Sequence, residues 1–133
     1  MTVMSPAVLS PRHASLPGGD ACAMPAPYTF SAAAAALIPP ERGQRSTRVF
    51  GHGTLELRWY APRGQDTQTP HDRDEVYAVV SGRGTFLCNG VRASFGPGDL
   101  LFAPAGAEHR FEAFSDDLAV WVIFYGPEGG EAP

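Results

Sequence analysis

The sequence predicts an all-β protein, an antiparallel sandwich or barrel with one short N-terminal helix. Three observations carry this. From Thr47 onward, apolar and polar residues alternate in short runs. These runs follow one another at regular spacing, with no helical period between them. Gly (15) and Pro (13) are abundant in 133 residues, which favours turns over long helices.

Residues 1–27 read as a disordered extension without periodicity or aromatic residues. Ala21-Cys22-Ala23 superficially resembles a signal-peptidase site. Pro6, Pro11, Arg12, His13, Pro17 and Asp20 leave no continuous apolar stretch before it, so a secretory signal is not expected. Met24 is a second possible start, and residues 1–24 are expected to be dispensable for folding. Ser31 is a suitable N-cap for a helix over Ala32–Leu37, and Pro39-Pro40 ends it. One domain is expected over 28–126, with 127–133 a flexible tail.

Thr54–Tyr60 alternates Leu55, Leu57 and Trp59 with Glu56, Arg58 and Tyr60. Glu75–Ser81 is a β-rich run closed by Gly82. Thr85–Cys88 and Val91–Phe95 flank Asn89-Gly90, a strong two-residue hairpin signal. Gly96-Pro97-Gly98-Asp99 is a further turn. Asp99–Ala103, His109–Phe114 and Leu118–Tyr125 complete the strands. The last is apolar on both faces, so one face must fill the barrel and the other must be covered.

Net charge is −4, and no basic stripe is present, which disfavours binding to nucleic acid. No apolar run is long enough to span a membrane. Cys22 and Cys88 lie in unlike segments, so a disulfide is not expected and a reducing cytoplasm fits. No P-loop, dinucleotide fingerprint or nucleophile elbow is present. Arg73 and Arg83 read as solvated, and either could be recruited by an anionic substrate.

Of four histidines, His13 and His52 read as surface groups. His71 and His109 stand in ordered company. His71 precedes Glu75 by four residues, and six residues separate Glu75 from Gly82. Gly98 is followed by five residues, Pro104, Ala105, Gly106, two residues and His109.

The segments 69–82 and 98–113 resemble the two motifs of the cupin superfamily, in particular its small single-domain barrels of the cupin 2 type. The resemblance covers roughly residues 47–125 and implies a cupin-type antiparallel jelly-roll β-barrel. It implies a divalent metal at His71, Glu75 and His109. Two positions depart: Thr69 stands where the first motif has another His, and Ala113 where the second has Asn. Two imidazoles and one carboxylate leave positions open on a metal, an arrangement suited to Fe, Mn, Zn or Ni. Thr69 could hold a metal-bound water, and Gln68 or Asp66 could reach inward. Tyr77, Phe86, Phe111 and Trp121 are candidates, with Thr69, for lining a pocket. A metal-free pairing of His71 with Glu75 is the plainer alternative.

Two functions follow. One is a metal-dependent oxygenase, isomerase or lyase acting on a small polar molecule. The other is a non-catalytic ligand-binding or sensing cupin without a functional metal. A homodimer is expected, because the outer faces of Glu75–Ser81 and Leu118–Tyr125 exceed what the Ala helix can cover. The competing account is that residues 47–60 fold back over that face.

Overall fold

The computed structural model describes residues 28–133. The expectations for residues 1–27, including the dispensability of 1–24, lie outside the described residues.

The helix α1 is a single turn, Ala32–Ala35. Ser31 Oγ caps it by accepting from the Ala34 N–H at 3.1 Å. It ends earlier than the propensity of the Ala run suggests. Leu37 and Ile38 donate to carbonyls only three residues back, tightening the chain before Pro39. Proline disfavours helical backbone in the residue before it.

Eight strands follow: β1 Thr47–His52, β2 Leu55–Tyr60, β3 Asp74–Ser81, β4 Gly84–Cys88, β5 Val91–Phe95, β6 Leu100–Ala103, β7 His109–Glu112 and β8 Ala119–Tyr125. They form two antiparallel sheets, β1-β2-β8-β3-β6 and β5-β4-β7. The Asn89-Gly90 turn between β4 and β5 has φ of +49° and +81°, as a two-residue hairpin of this kind requires. Gly82 is required for space as well as for its φ of +89°. A Cβ there would lie 2.5 Å from Leu118 Cα.

Strand alternation divides the apolar residues into two cores on opposite sides of the larger sheet. Between the sheets lie Tyr60, Tyr77, Val79, Phe86, Phe95, Phe111, Leu118, Val120 and Val122. Tyr77 meets Phe111 and Phe86 edge-on, with ring centroids at 5.0 and 5.6 Å. On the far side, Trp59 and Trp121 pack edge to face at 4.8 Å. There Tyr28, Phe30, α1 and Ile38 cover the sheet as a strap.

The strap covers only the β1-β2-β8 half of that outer face. Over β3 and β6, Val80, Leu100 and Phe102 are 41%, 69% and 51% exposed. Phe102 pairs with Val76 and Leu100 with Ala78, so all lie on one outward face. Residues 47–60 therefore do not fold over this face; they extend the same sheet as β1 and β2.

The segment 127–133, which reads as a flexible tail, is pinned by hydrogen bonds. Gly129 N–H donates to the Asp72 carbonyl at 2.6 Å, and Glu131 N–H to Asp74 Oδ2 at 2.9 Å. Its Gly-rich composition permits the tight path that these bonds need.

Candidate metal centre

His71, Glu75 and His109 meet at one end of the inner core. Glu75 is the first inward residue of β3 after Asp74, and alternation turns it to the same side as Tyr77 and Val79. His109 opens β7 and faces inward with Phe111. His71 comes from the loop before β3, held because its carbonyl accepts the Gly106 N–H at 2.6 Å.

Glu75 and His109 are each 2% exposed. Glu75 Oε1 lies 3.1 Å from His109 Nε2 and 3.8 Å from His71 Nε2. One ligand atom from each residue falls within 4.8 Å of the others. Two donors bonded to one ion at about 2.1 Å stand at most roughly 4.2 Å apart. A cation would thus require an inward shift of several tenths of an ångström. His71, one third exposed on its loop, is the member free to make it.

The tautomer of His109 makes the centre fit a cation. Its Nδ1 lies 2.8 Å from the Ala107 carbonyl, which can only accept, so Nδ1 carries the proton. A neutral His109 therefore presents the Nε2 lone pair to a carboxylate oxygen. Neither Glu75 Oε1 nor His109 Nε2 has a hydrogen-bond partner among the described residues. Two buried acceptors facing each other require a positive charge between them, either a proton or a metal ion. A backbone carbonyl on the distal ring nitrogen is also what orients metal-ligating imidazoles.

Burial lowers the pKa of His71, with the Glu75 carboxylate opposing and His109 and Arg45 adding to the lowering. Burial also acts against a proton on His109, but Glu75 and the Ala107 carbonyl outweigh it, and that pKa is raised. His71 is thus a ready neutral donor, while at His109 a metal would compete with a proton.

Of the expected pocket residues, Tyr77 lines the cavity beside the cluster. Phe86 and Phe111 lie in the inner core, Phe86 with its ring centroid 6.2 Å from that of His109, and neither lines the cavity. Thr69 is exposed on the loop and does not line it either. Trp121 belongs to the outer core, because alternation along β8 points Val120, Val122 and Phe124 inward instead.

Gln68 and Asp66 do reach inward. Asp66 is 4% exposed and accepts from Tyr60 Oη at 2.6 Å, Phe111 N–H at 2.8 Å and Gln68 Nε2 at 2.7 Å. Burial and this carboxylate together push the Tyr60 pKa up. Gln68 Oε1 in turn accepts from Tyr77 Oη at 3.0 Å. Arg73 is not merely solvated: it donates to the Thr54 carbonyl and to Glu56. The cavity measures about 330 Å³ and reaches the surface through Gln44, Arg45 and Asp72.

A double-sheeted β-barrel with two imidazoles and a carboxylate at one end of its core defines a class of small barrels suited to holding a cation or a compact ligand. The chain belongs to the cupin family: the family described as Cupin domain matches residues 58–125. The uncharacterized protein SCO3923 of Streptomyces coelicolor is 43% identical over 63 residues, 47% of this chain and 60% of that protein. The match thus spans less than two thirds of that relative's length. A protein from Rhizobium leguminosarum bv. viciae is similar in structure, with a TM-score of 0.60 at 24% identity over 74% of this chain and 96% of that one. A cupin 2 conserved barrel domain protein from Salinispora arenicola gives 0.53 at 19% identity over 68% and 87%. KdgF from a Halomonas species gives 0.54 at 24% identity over 62% and 78%. These likenesses establish the fold.

Proposed function

We propose that this cupin binds a divalent metal ion through His71, Glu75 and His109 and acts on a small polar molecule in the adjoining cavity. The observation that carries the reading is the buried juxtaposition of His109 Nε2 and Glu75 Oε1 at 3.1 Å, with His71 Nε2 3.8 Å from the same oxygen. The donor set suits Fe, Mn, Zn or Ni. When bound, such an ion supplies Lewis acidity, and redox chemistry where it is iron or manganese. The reaction class is oxygenase, isomerase or lyase. The chain's own residues shape the setting: the Phe86 and Tyr77 rings flank the inner side of His109, and Asp66 fixes Gln68 and, through it, the Tyr77 hydroxyl.

The second reading is a non-catalytic ligand-binding cupin without a functional metal. It is favoured by Thr69, which leaves three ligands where the family motif supplies four, and by the opposition of Glu75 to His109, which a proton could also satisfy. The test is metal analysis of the full chain after equilibration with Fe(II), Mn(II), Zn(II) or Ni(II). One equivalent retained by the wild type and lost in His109→Ala supports the metal centre; none retained by the wild type overturns it. Dioxygen consumption by the Fe(II) form with candidate substrates then separates oxygenase activity from the rest.

A homodimer built on the exposed β3-β6 face is part of the same proposal. So is a cytoplasmic location. Among the described residues, no helix is long and apolar enough to cross a membrane.

A further inference from the structure

The cavity wall carries three guanidinium groups, Arg45, Arg58 and Arg73, and they are not equivalent. Arg58 is 9% exposed and fully engaged, on Ser46 Oγ at 2.6 Å, the Ser46 carbonyl at 2.9 Å and the Glu56 carboxylate. Arg73 donates to the Thr54 carbonyl at 2.7 Å and to Glu56 Oε1 at 2.9 Å, with its guanidinium 5.5 Å from the Phe124 ring centre. Arg45 uses only Nε, on Thr67 Oγ1 at 3.0 Å. Among the described residues, its two terminal nitrogens have no partner.

The acids of the cavity are Glu56, Asp72 and Glu75. Glu56 is already shared by Arg48, Arg58 and Arg73. Glu75 is turned in toward the two histidines. Asp72 lies exposed and forms no ion pair among the described residues. By count the wall carries three guanidiniums and three carboxylates, and among the described residues Arg45 is the guanidinium whose terminal nitrogens no carboxylate holds.

We infer that the cavity takes a small organic carboxylate, held at its carboxylate by the terminal nitrogens of Arg45. The inference rests on the same reading of the cavity as the ligand site. The planar fork of a guanidinium matches the two oxygens of a carboxylate, and such paired bonds are among the stronger ones available to a protein. Val122 and Phe124 offer an apolar strip for the carbon skeleton. Tyr60, Gln68 and His71 line the same cavity, with Tyr60 and Gln68 already held by Asp66. The volume of about 330 Å³ restricts the ligand to a compact molecule.

The test is calorimetric titration of the full chain, metal-free and Zn(II)-loaded, with malonate, succinate and benzoate. Malonamide, succinamide, benzamide and inorganic phosphate serve as controls. At least one carboxylate is expected to bind, with its amide at least tenfold weaker and phosphate weaker than the carboxylate. Arg45→Gln should lose tenfold or more of that affinity, and Arg45→Lys should recover part of it. Both variants should retain the wild-type melting temperature and metal content. The inference is overturned if no carboxylate binds, if the amide or phosphate binds as well as the carboxylate, or if Arg45→Gln binds as tightly as the wild type. Metal content is read separately. Arg45-dependent binding without retained metal would overturn only the metal centre, and retained metal without such binding would overturn only this inference.

Discussion

Gly106 donates its backbone N–H to the carbonyl of His71 at 2.6 Å, and this bond joins the two halves of the site. His71 belongs to no strand, so nothing in the sheet fixes its position. The turn before β7 does so instead. Gly106 has a φ of +81°, which directs its N–H along a path that other residues rarely adopt. A second tie lies beside the first: Ala105 N–H donates to Asp74 Oδ1 at 2.9 Å.

Asp74 gives a pH dependence. Backbone donors at Glu131 and Ala105 hold its carboxyl below the usual carboxylate range. A carboxyl lowered on folding stabilises the protein above its unfolded pKa, and that contribution is lost as pH falls through the folded value. Amide exchange at Ala105 and Glu131 should therefore accelerate, relative to the β8 amides, as pH is taken below about 4. Asp74→Asn should show the faster exchange already at neutral pH. Equal protection in the variant and the wild type would contradict this.

Asp66 is the chief polar anchor of the inner core. Asp66→Ala leaves the Tyr60 hydroxyl and the Phe111 N–H without their acceptor. Each such buried group costs about 1–3 kcal/mol, so a loss of about 2–6 kcal/mol is expected by urea denaturation. A loss below about 1 kcal/mol would mean that water replaces the carboxylate.

Ala113 has a φ of +48° and is exposed. Left-handed backbone costs a residue with a Cβ roughly 1–2 kcal/mol. Ala113→Gly should raise stability by about 0.5–1 kcal/mol after the greater chain entropy of glycine is set against it. Thermal melting of the two proteins decides the sign.

The exposed face of β3 and β6 should pair two copies. Light scattering at micromolar concentration should give twice 14.1 kDa, and Leu100→Glu should reduce it to 14.1 kDa with metal content unchanged. A wild-type mass of 14.1 kDa would remove the dimer.

Much of this arrangement was legible in the sequence, for a definite reason. Glu75 and His109 lie on strands, where alternation dictates direction, and motif spacing then brings His71 to them. Arg45, Asp66, Gln68 and Asp74 act from loops or a strand end, where direction depends on particular hydrogen bonds and no period reveals it. Trp121 failed for another reason. Both faces of β8 are apolar, so the sequence offered no sign of which face would turn inward. The pinning of 127–133 depends on Asp72 and Asp74, more than fifty residues earlier.

Both tryptophans of the chain lie on the strap side of the five-stranded sheet, away from the cluster of His71, Glu75 and His109. The intrinsic emission of the molecule is therefore a gauge of one layer only. A colourless, redox-silent ligand entering the cavity should leave the spectrum unchanged, whereas release of the segment from Tyr28 to Ile38 should shift it to the red. The two events can be followed in one sample by independent signals, calorimetry for the first and fluorescence for the second.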